Sequence, residues 1–380
     1  PAFANPIFRS QATGGSTAVR GYWKLLREAG AVGRELLLSA AAQTWGVTAQ
    51  DCEANNGQII HSVTGNRLSY GELATLAATL PVPDAVFLKE ADEFKLLGKS
   101  QPRLDGPAKV DGSAMFGTDV QLPGWLTAMV VRCPVYGGKV SRVDDAEAKK
   151  IAGVHQVVTI STGVAVVADH FWAAKLGRDA LKIEWDYGPD AELNSTTITQ
   201  RFAEVVDDGT IGRDDGNANK TIKRASNSIN AVYEVPYLAH ACMEPMNCTA
   251  YVREDGCDIW VPTQGQTRTH KTAMQLTDLP ADNVRVHTTF LGGGFGRRSA
   301  QDFVTDAIET SKAVGAPLKV MWTRDDDIQH DYYRPATYNR LTAALDDKGM
   351  PIAWRHRIAA PSIAASNTKE REDSGDDWSA

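Results

Sequence analysis

The chain of 380 residues has no run of about 18 apolar residues, its longest apolar tract being Val164 to Ala168, so no helical membrane span is written in it. Positive charge is not in excess. With 40 Lys and Arg against 47 Asp and Glu the net charge is −7, and the broad basic surface that a nucleic-acid coat needs is missing. The five cysteines, Cys52, Cys133, Cys242, Cys248 and Cys257, are scattered and form no C-x-x-C pair. They supply no disulfide framework and no zinc or iron–sulfur ligand set, and are expected to be buried thiols. The G-x-G-x-x-G fingerprint, the P-loop, H-E-x-x-H and the G-x-S-x-G elbow are also absent, which counts against a nicotinamide dehydrogenase and the common hydrolases. The start, Pro1-Ala2-Phe3-Ala4-Asn5-Pro6, carries no initiator Met, basic n-region or apolar h-region and reads as the middle of a domain, so a processed or partial sequence is expected.

What is present is the composition of a globular protein, 43% hydrophobic and 23% charged, at a length that asks for more than one core. Apolar residues at Tyr22, Leu25, Leu26, Ala29, Val32, Leu36, Leu37 and Ala40 predict a long helix that Gly46 stops. Asn56-Gly57 predicts a hairpin turn, and Ser69-Tyr70-Gly71-Glu72 a capping box. Residues 81–96 read as a linker over the surface. Beyond it, strands are expected at 126–131, 154–160, 164–168 and 181–185, with helical pieces at 144–151 and 171–180. Polar stretches at 186–194 and 207–219 frame the next crossing. Then follow strands at 229–235, 248–252 and 259–261, a helix at 267–276, alternation from Val284 to Phe290 into a Gly loop, a helix at 300–313, a strand at 318–322 and a hairpin at Asp347-Lys348-Gly349. The tail from Asn367 to Ala380 is polar and acidic.

Three segments could carry chemistry. Gln11-Ala12-Thr13-Gly14-Gly15-Ser16-Thr17 sets small residues and hydroxyls where the first free N–H groups of the long helix lie, a place for an anion or simply an N-cap. Gly292-Gly293-Gly294-Phe295-Gly296 falls between a strand and a helix, where glycines allow a ligand close to the backbone, with Arg297 and Arg298 beside it. As a lone motif it is equally a structural turn. His240-Ala241-Cys242-Met243-Glu244-Pro245-Met246-Asn247 sets polar groups among apolar ones, where a buried Glu needs partners or a task, and Pro245 argues against a helical His240/Glu244 metal pair. Gln264 closes a strand at the edge expected for the Gly loop. The run Asp325-Asp326-Asp327 invites a divalent-metal reading, but without further ligands at loop spacing it is read as a helix N-terminus. The residues alone give a multi-domain α+β protein whose chemistry comes from a cofactor.

In order, QATGGST (11–17), GKSQPRLDGPAKVDGSAMFGTDV (98–120), HACMEPMN (240–247), PTQ (262–264), GGGFGRR (292–298) and WTRDDDI with YYRP (322–335) closely resemble the molybdopterin-binding subunit of the xanthine dehydrogenase/aldehyde oxidase family, in its isoquinoline 1-oxidoreductase beta-subunit branch. The resemblance covers nearly the whole chain. It implies an aldehyde oxidase a/b hammerhead domain at 97–186, and parts of molybdopterin-binding domains at 1–80 and 187–380. Gly15, Ser16, Thr17 and Ala18 are implied as backbone contacts to a molybdopterin cytosine dinucleotide. Gly294, Phe295 and Gly296, with Arg297, are implied beside the molybdenum ligands, Gln264 beside an oxo group, and Arg334 at the substrate pocket. It implies hydroxylation of an N-heteroaromatic such as isoquinoline with oxygen from water, or aldehyde oxidation, and electron transfer to a small partner with two [2Fe–2S] clusters. Where purine-oxidising members continue Gly-Lys-Glu, this chain has Arg297, Arg298 and Ser299, which argues against xanthine. The family's catalytic Gly-Glu and N-terminal Gly-Gln-Gly segments find no match, so the chain is expected to be a central fragment, inactive alone, or a non-catalytic cofactor-binding piece. The compartment, cytoplasmic or periplasmic, stays open.

Overall fold

A computed structural model of the chain describes residues 3–363, so the acidic tail expected at 367–380 lies outside the described residues. By contacts the chain divides into two units, Pro1–Ala114 and Met115–Ala380.

The first unit is built on α1 (Thr17–Trp45), which ends on Gly46 in the left-handed conformation as its sequence predicts. The strands β1 (Cys52–Asn55), β2 (Gln58–His61) and β3 (Arg67–Ser69) form an antiparallel sheet. Asn56 and Gly57, at φ 47 and 78, make the expected turn between the first two. Ser69 caps α2 (Tyr70–Ala77) through the predicted box with Glu72. Ala40, Ala41, Ile59, Leu73 and Ala77 are its core. Residues 81–96 run along α1: Arg27 and Arg34 donate to the Lys89 and Phe87 carbonyls, and Trp23 meets Phe94 edge-on. A short α3 (Gly106–Val110) follows.

The second unit opens with β4 (Leu126–Val131), β5 (Lys139–Asp144), β6 (Val154–Ile160), β7 (Gly163–Ala168), α4 (Phe171–Asp179) and β8 (Lys182–Asp186). Next come α5 (Ser195–Val205), α6 (Ala218–Arg224), β9 (Asn227–Val235), β10 (Asn247–Val252), β11 (Cys257–Val261) and α7 (Gln266–Thr277). Last are β12 (Val284–Thr288), α8 (Asp302–Val314), β13 (Leu318–Met321), α9 (Arg324–Gln329), β14 (Thr337–Leu345) and β15 (Pro351–Ala359). The helix expected at 144–151 is corrected. β5 runs to Asp144 in register with β8, which leaves only a 3-10 turn at Ala148–Lys150.

Seven strands form one mixed sheet in the order β12-β11-β10-β13-β4-β7-β6. Strands expected between 126 and 168 thus share a sheet with strands beyond 247, joined by the parallel pair β13–β4. Both faces are covered. Ala128, Val130, Ala165 and Val167 join Phe303, Val304, Ala307 and Ile308 of α8 in the main core, while Met129 and Ala168 turn to Ala173 and Ala174 of α4. Through this core runs a polar pin. The fully buried Asp306 takes the Arg132 guanidinium, the Thr162 hydroxyl and the Trp322 indole N–H. All five cysteines are free and buried, as expected from their scatter.

A second sheet, β15-β14-β9, is antiparallel. On one face its arginines reach the α5–α6 segment, Arg340 and Arg357 to Asp207 and Arg355 to Asn219. On the other, Ile229, Tyr233, Val235, Trp354 and Ile358 are each at least half exposed.

Candidate functional site

Topology brings three distant segments to one end of the seven-stranded sheet. β11 and β12 are parallel, and β10 is antiparallel to both β11 and β13. The residues after β11 (262–265), after β12 (289–296) and after β13 (322–331) therefore emerge at the same end as those leading into β10 (240–246). The carboxyl ends of parallel strands are the usual place for a ligand in such sheets.

At the centre lies the Gly loop. Gly293, Phe295 and Gly296 have φ of 92, 53 and 106, left-handed values that favour glycine. Phe295, which is not a glycine, holds its strained conformation with its ring 75% exposed. Among the described residues the amides of Gly293, Gly294 and Phe295 donate to no protein acceptor. The Gly296 amide donates to Gln264 Oε1 at 3.1 Å. A Cβ on Gly294 would stand 2.6 Å from that same oxygen, and one on Gly292 2.4 Å from Glu244 Cβ. Gln264 is set by its own amide, which donates to the Arg298 carbonyl at 3.1 Å. Loop, glycine and amide are thus packed to a fit with no room for a methyl group, and the free backbone donors suit an oxygen-rich, anionic group.

Both ends of the loop are pinned. At its start the buried Glu244 carboxylate accepts from the amides of Gly292 (2.8 Å) and Thr118 (3.1 Å), from Asn247 Nδ2 (2.9 Å) and from Arg298 (3.2 Å). The Glu244 carboxylate is therefore satisfied, while the buried Oδ1 of Asn247 beside it has no hydrogen-bond partner. Arg298, with no exposed side-chain surface, also donates to the carbonyls of Gly293 (2.7 Å) and Glu244 (2.6 Å). Burial lowers its guanidinium despite the Glu244 carboxylate. At the loop's end Arg297 is equally buried and grips Asp302 with two nitrogens, at 2.9 and 2.7 Å. Its Nε lies 2.8 Å from Asp331 as a charge contact, and its guanidinium sits 5.3 Å from the ring centres of Trp322 and Tyr332. Burial works against its charge, and the Asp302 and Asp331 carboxylates more than reverse that. The positive charge expected beside a ligand is thus spent inside the protein on holding the loop.

Of the other residues singled out from the sequence, Gly15 and Ser16 are consecutive left-handed residues at the start of α1, in the first unit. Ser16 is the N-cap by position and makes no side-chain capping bond, whereas the buried Thr17 hydroxyl donates to the Gly14 carbonyl and accepts from Asn5. Gly15, Ser16 and Ala18 are exposed. Arg334 is exposed, and its backbone bridges Leu238. The Asp325 to Asp327 run begins α9, capped by Thr323 with Asp326, as the helix reading requires. No cluster of metal-ligating side chains occurs among the described residues. Sequence reasoning missed Asp331, which accepts from His240 Nδ1 at 2.9 and 3.0 Å; 91 residues separate the two, and no local pattern links them.

Residues 201–370 match the family described as Molybdopterin cofactor-binding domain. The chain is 32% identical over 413 residues to isoquinoline 1-oxidoreductase subunit beta of Brevundimonas diminuta, covering 96% of this chain and 52% of that protein. It is 31% identical over 375 residues to membrane-bound aldehyde dehydrogenase (pyrroloquinoline-quinone) of Gluconacetobacter polyoxogenes, covering 94% of this chain and 48% of that one. Among solved structures, the aldehyde oxidoreductase of Desulfovibrio gigas superposes with a TM-score of 0.54 at 18% identity, over 75% of this chain and 36% of that one. The chain spans about half the length of the curated relatives it matches.

Proposed function

Because the chain belongs to the xanthine dehydrogenase/aldehyde oxidase family of molybdopterin-binding subunits, we propose that it is the cofactor-cradling part of a molybdenum hydroxylase large subunit acting on an N-heteroaromatic such as isoquinoline. The observation that carries this reading is the Gln264 amide locked against Gly294 and Gly296, beside backbone donors left free. When bound, molybdenum supplies the two-electron chemistry that places a water-derived oxygen on an electron-poor carbon. The protein's own part is to hold and orient. Gln264 and the loop amides face the cofactor's oxygens, Gly15, Ser16 and Ala18 offer backbone donors to the dinucleotide phosphates, and Arg334 orients the substrate, whereas the expected contact from the Thr17 amide is corrected, because that N–H donates to the Gly14 carbonyl at 3.0 Å. Arg297 holds the loop through Asp302 and Asp331.

In this reading the dinucleotide is the cytosine form, residues 97–186 are the a/b hammerhead, and residues 1–80 and 187–380 belong to the cofactor domains. Electrons leave to a small partner with two [2Fe–2S] clusters, since the chain's own five cysteines are buried and free. No helix among the described residues is long and apolar enough to cross a membrane. A second reading, aldehyde oxidation, takes support from the name of the Gluconacetobacter relative.

Metal analysis of the native complex with subunit masses tests the proposal. About one molybdenum per large subunit and about four irons on a small partner are expected; a complex with neither metal would end every role above. Gln264→Ala should cut turnover about a hundredfold with molybdenum retained, as loss of one preorganised polar contact does. Unchanged turnover would refute the role of Gln264. Oxidation of isoquinoline without aldehyde activity separates the two substrate readings.

A further inference from the structure

Behind the Gly loop stands an aspartate–histidine pair that the role given to Gln264 does not use. Asp331 is 1% exposed and accepts from both the backbone amide and the Nδ1 of His240. Its charge is balanced by Arg297, which Asp302 holds in turn. A buried carboxylate on Nδ1 fixes the ring and leaves Nε2 as the working nitrogen. That nitrogen meets no protein group among the described residues, and the side chain retains 15% exposure. It lies 3.7 Å from where a Cβ on Gly296 would stand, which places it directly over the loop. The next residue, Ala241, takes a left-handed φ of 48, a conformation that costs energy and fixes where the ring sits. A histidine kept for packing alone would not need this arrangement.

We infer that His240 is a ligand-binding residue of the Gly-loop site, its Asp331-aligned imidazole donating from Nε2 to an anionic oxygen held over Gly296. The inference rests on the reading of the loop as a cradle for an oxygen-rich group. With Nδ1–H engaged by a carboxylate, protonation puts the new proton on Nε2, next to loop amides that are themselves donors. An anion is the group that satisfies all of them.

The test uses the full chain with ¹⁵N-labelled histidine and inorganic phosphate as the probe. Phosphate should move the His240 Nε2 resonance and, at one fixed pH, bind the wild type about tenfold more tightly than His240→Gln, the size expected for one charge-assisted hydrogen bond. Asp331→Asn keeps the ring and removes the carboxylate that aligns it, so binding should weaken with the His240 signal still visible. Phosphate that leaves the His240 resonance unmoved, or binds His240→Gln with the wild-type affinity, overturns the inference. If the intact subunit carries molybdenum while His240 ignores phosphate, the proposed function stands and this inference fails. If phosphate moves His240 and the intact subunit carries no molybdenum, the anion site stands and the cofactor reading fails.

Discussion

His330, at the end of α9 and one residue before Asp331, offers a measurement of how firmly the chain behind the loop is packed. Burial, with the Arg132 guanidinium nearby, pushes its imidazole down to about 4. The unfolded chain binds this proton near pH 6.5, so the contribution of His330 to stability is complete above 6.5 and is lost as the pH falls toward 4. Between pH 7 and pH 5 the loss works out at about 2 kcal/mol. Asp306 runs the opposite way. Burial pushes it up to about 6, so its contribution is complete below the ordinary carboxylate range and lost as the pH rises through 6. A pH titration of the wild type alone would blur the two. Subtracting His330→Gln from wild type, by urea unfolding at both pH values, cancels Asp306 and the other carboxylates. The variant, less stable at pH 7 by about 1 kcal/mol of lost packing, should gain about 2 kcal/mol on the wild type by pH 5. A stability difference that is the same at both pH values would refute the buried, neutral imidazole.

Two further outcomes follow from the loop. Gly294→Ala puts a methyl group 2.6 Å from Gln264 Oε1; the expected result is a fold weakened by about 1–3 kcal/mol and an intact subunit with most of its molybdenum missing, read by metal analysis, and full metal content would contradict the fit described. Glu244→Gln leaves the shape of the network but withdraws the charge opposite the buried Arg298, which should cost about 3 kcal/mol in urea unfolding. A loss below about 0.5 kcal/mol would mean that the carbonyls of Gly293 and Glu244 suffice for Arg298.

What could be read from the sequence was local. The stop of α1 at Gly46, the Asn56-Gly57 turn, the Ser69 box and the capped start of α9 each depend on residues a few positions apart, and each stands as expected. The helix α5 was not expected: its sequence STTITQRFAEV buries no residue fully, so it carries little apolar stripe to betray it. The partners in the seven-stranded sheet were equally hidden, because the β13–β4 pairing joins Leu318 to Leu126 across the chain and leaves no period behind. At the site, the Gly loop and Gln264 were visible as residue types. Their packing against one another, and the inward use of Arg297 and Arg298, came only from the coordinates. Adjacent arginines beside a glycine loop look like an anion grip in one dimension, yet here each is turned inward to a carboxylate of the protein itself.

That turning has a consequence for how the site can vary. Gly292 is tied to Glu244, and Arg297 and Arg298 grip carboxylates on opposite sides. Deleting or inserting one residue between 296 and 298 would trade one arginine's partners for the other's and strand two acids. The loop is a span anchored at both abutments, its length frozen. Freedom to change is concentrated at Phe295, the one side chain that hangs from the span into solvent, and a lineage retuning what the site accepts could alter that ring without touching the anchorage.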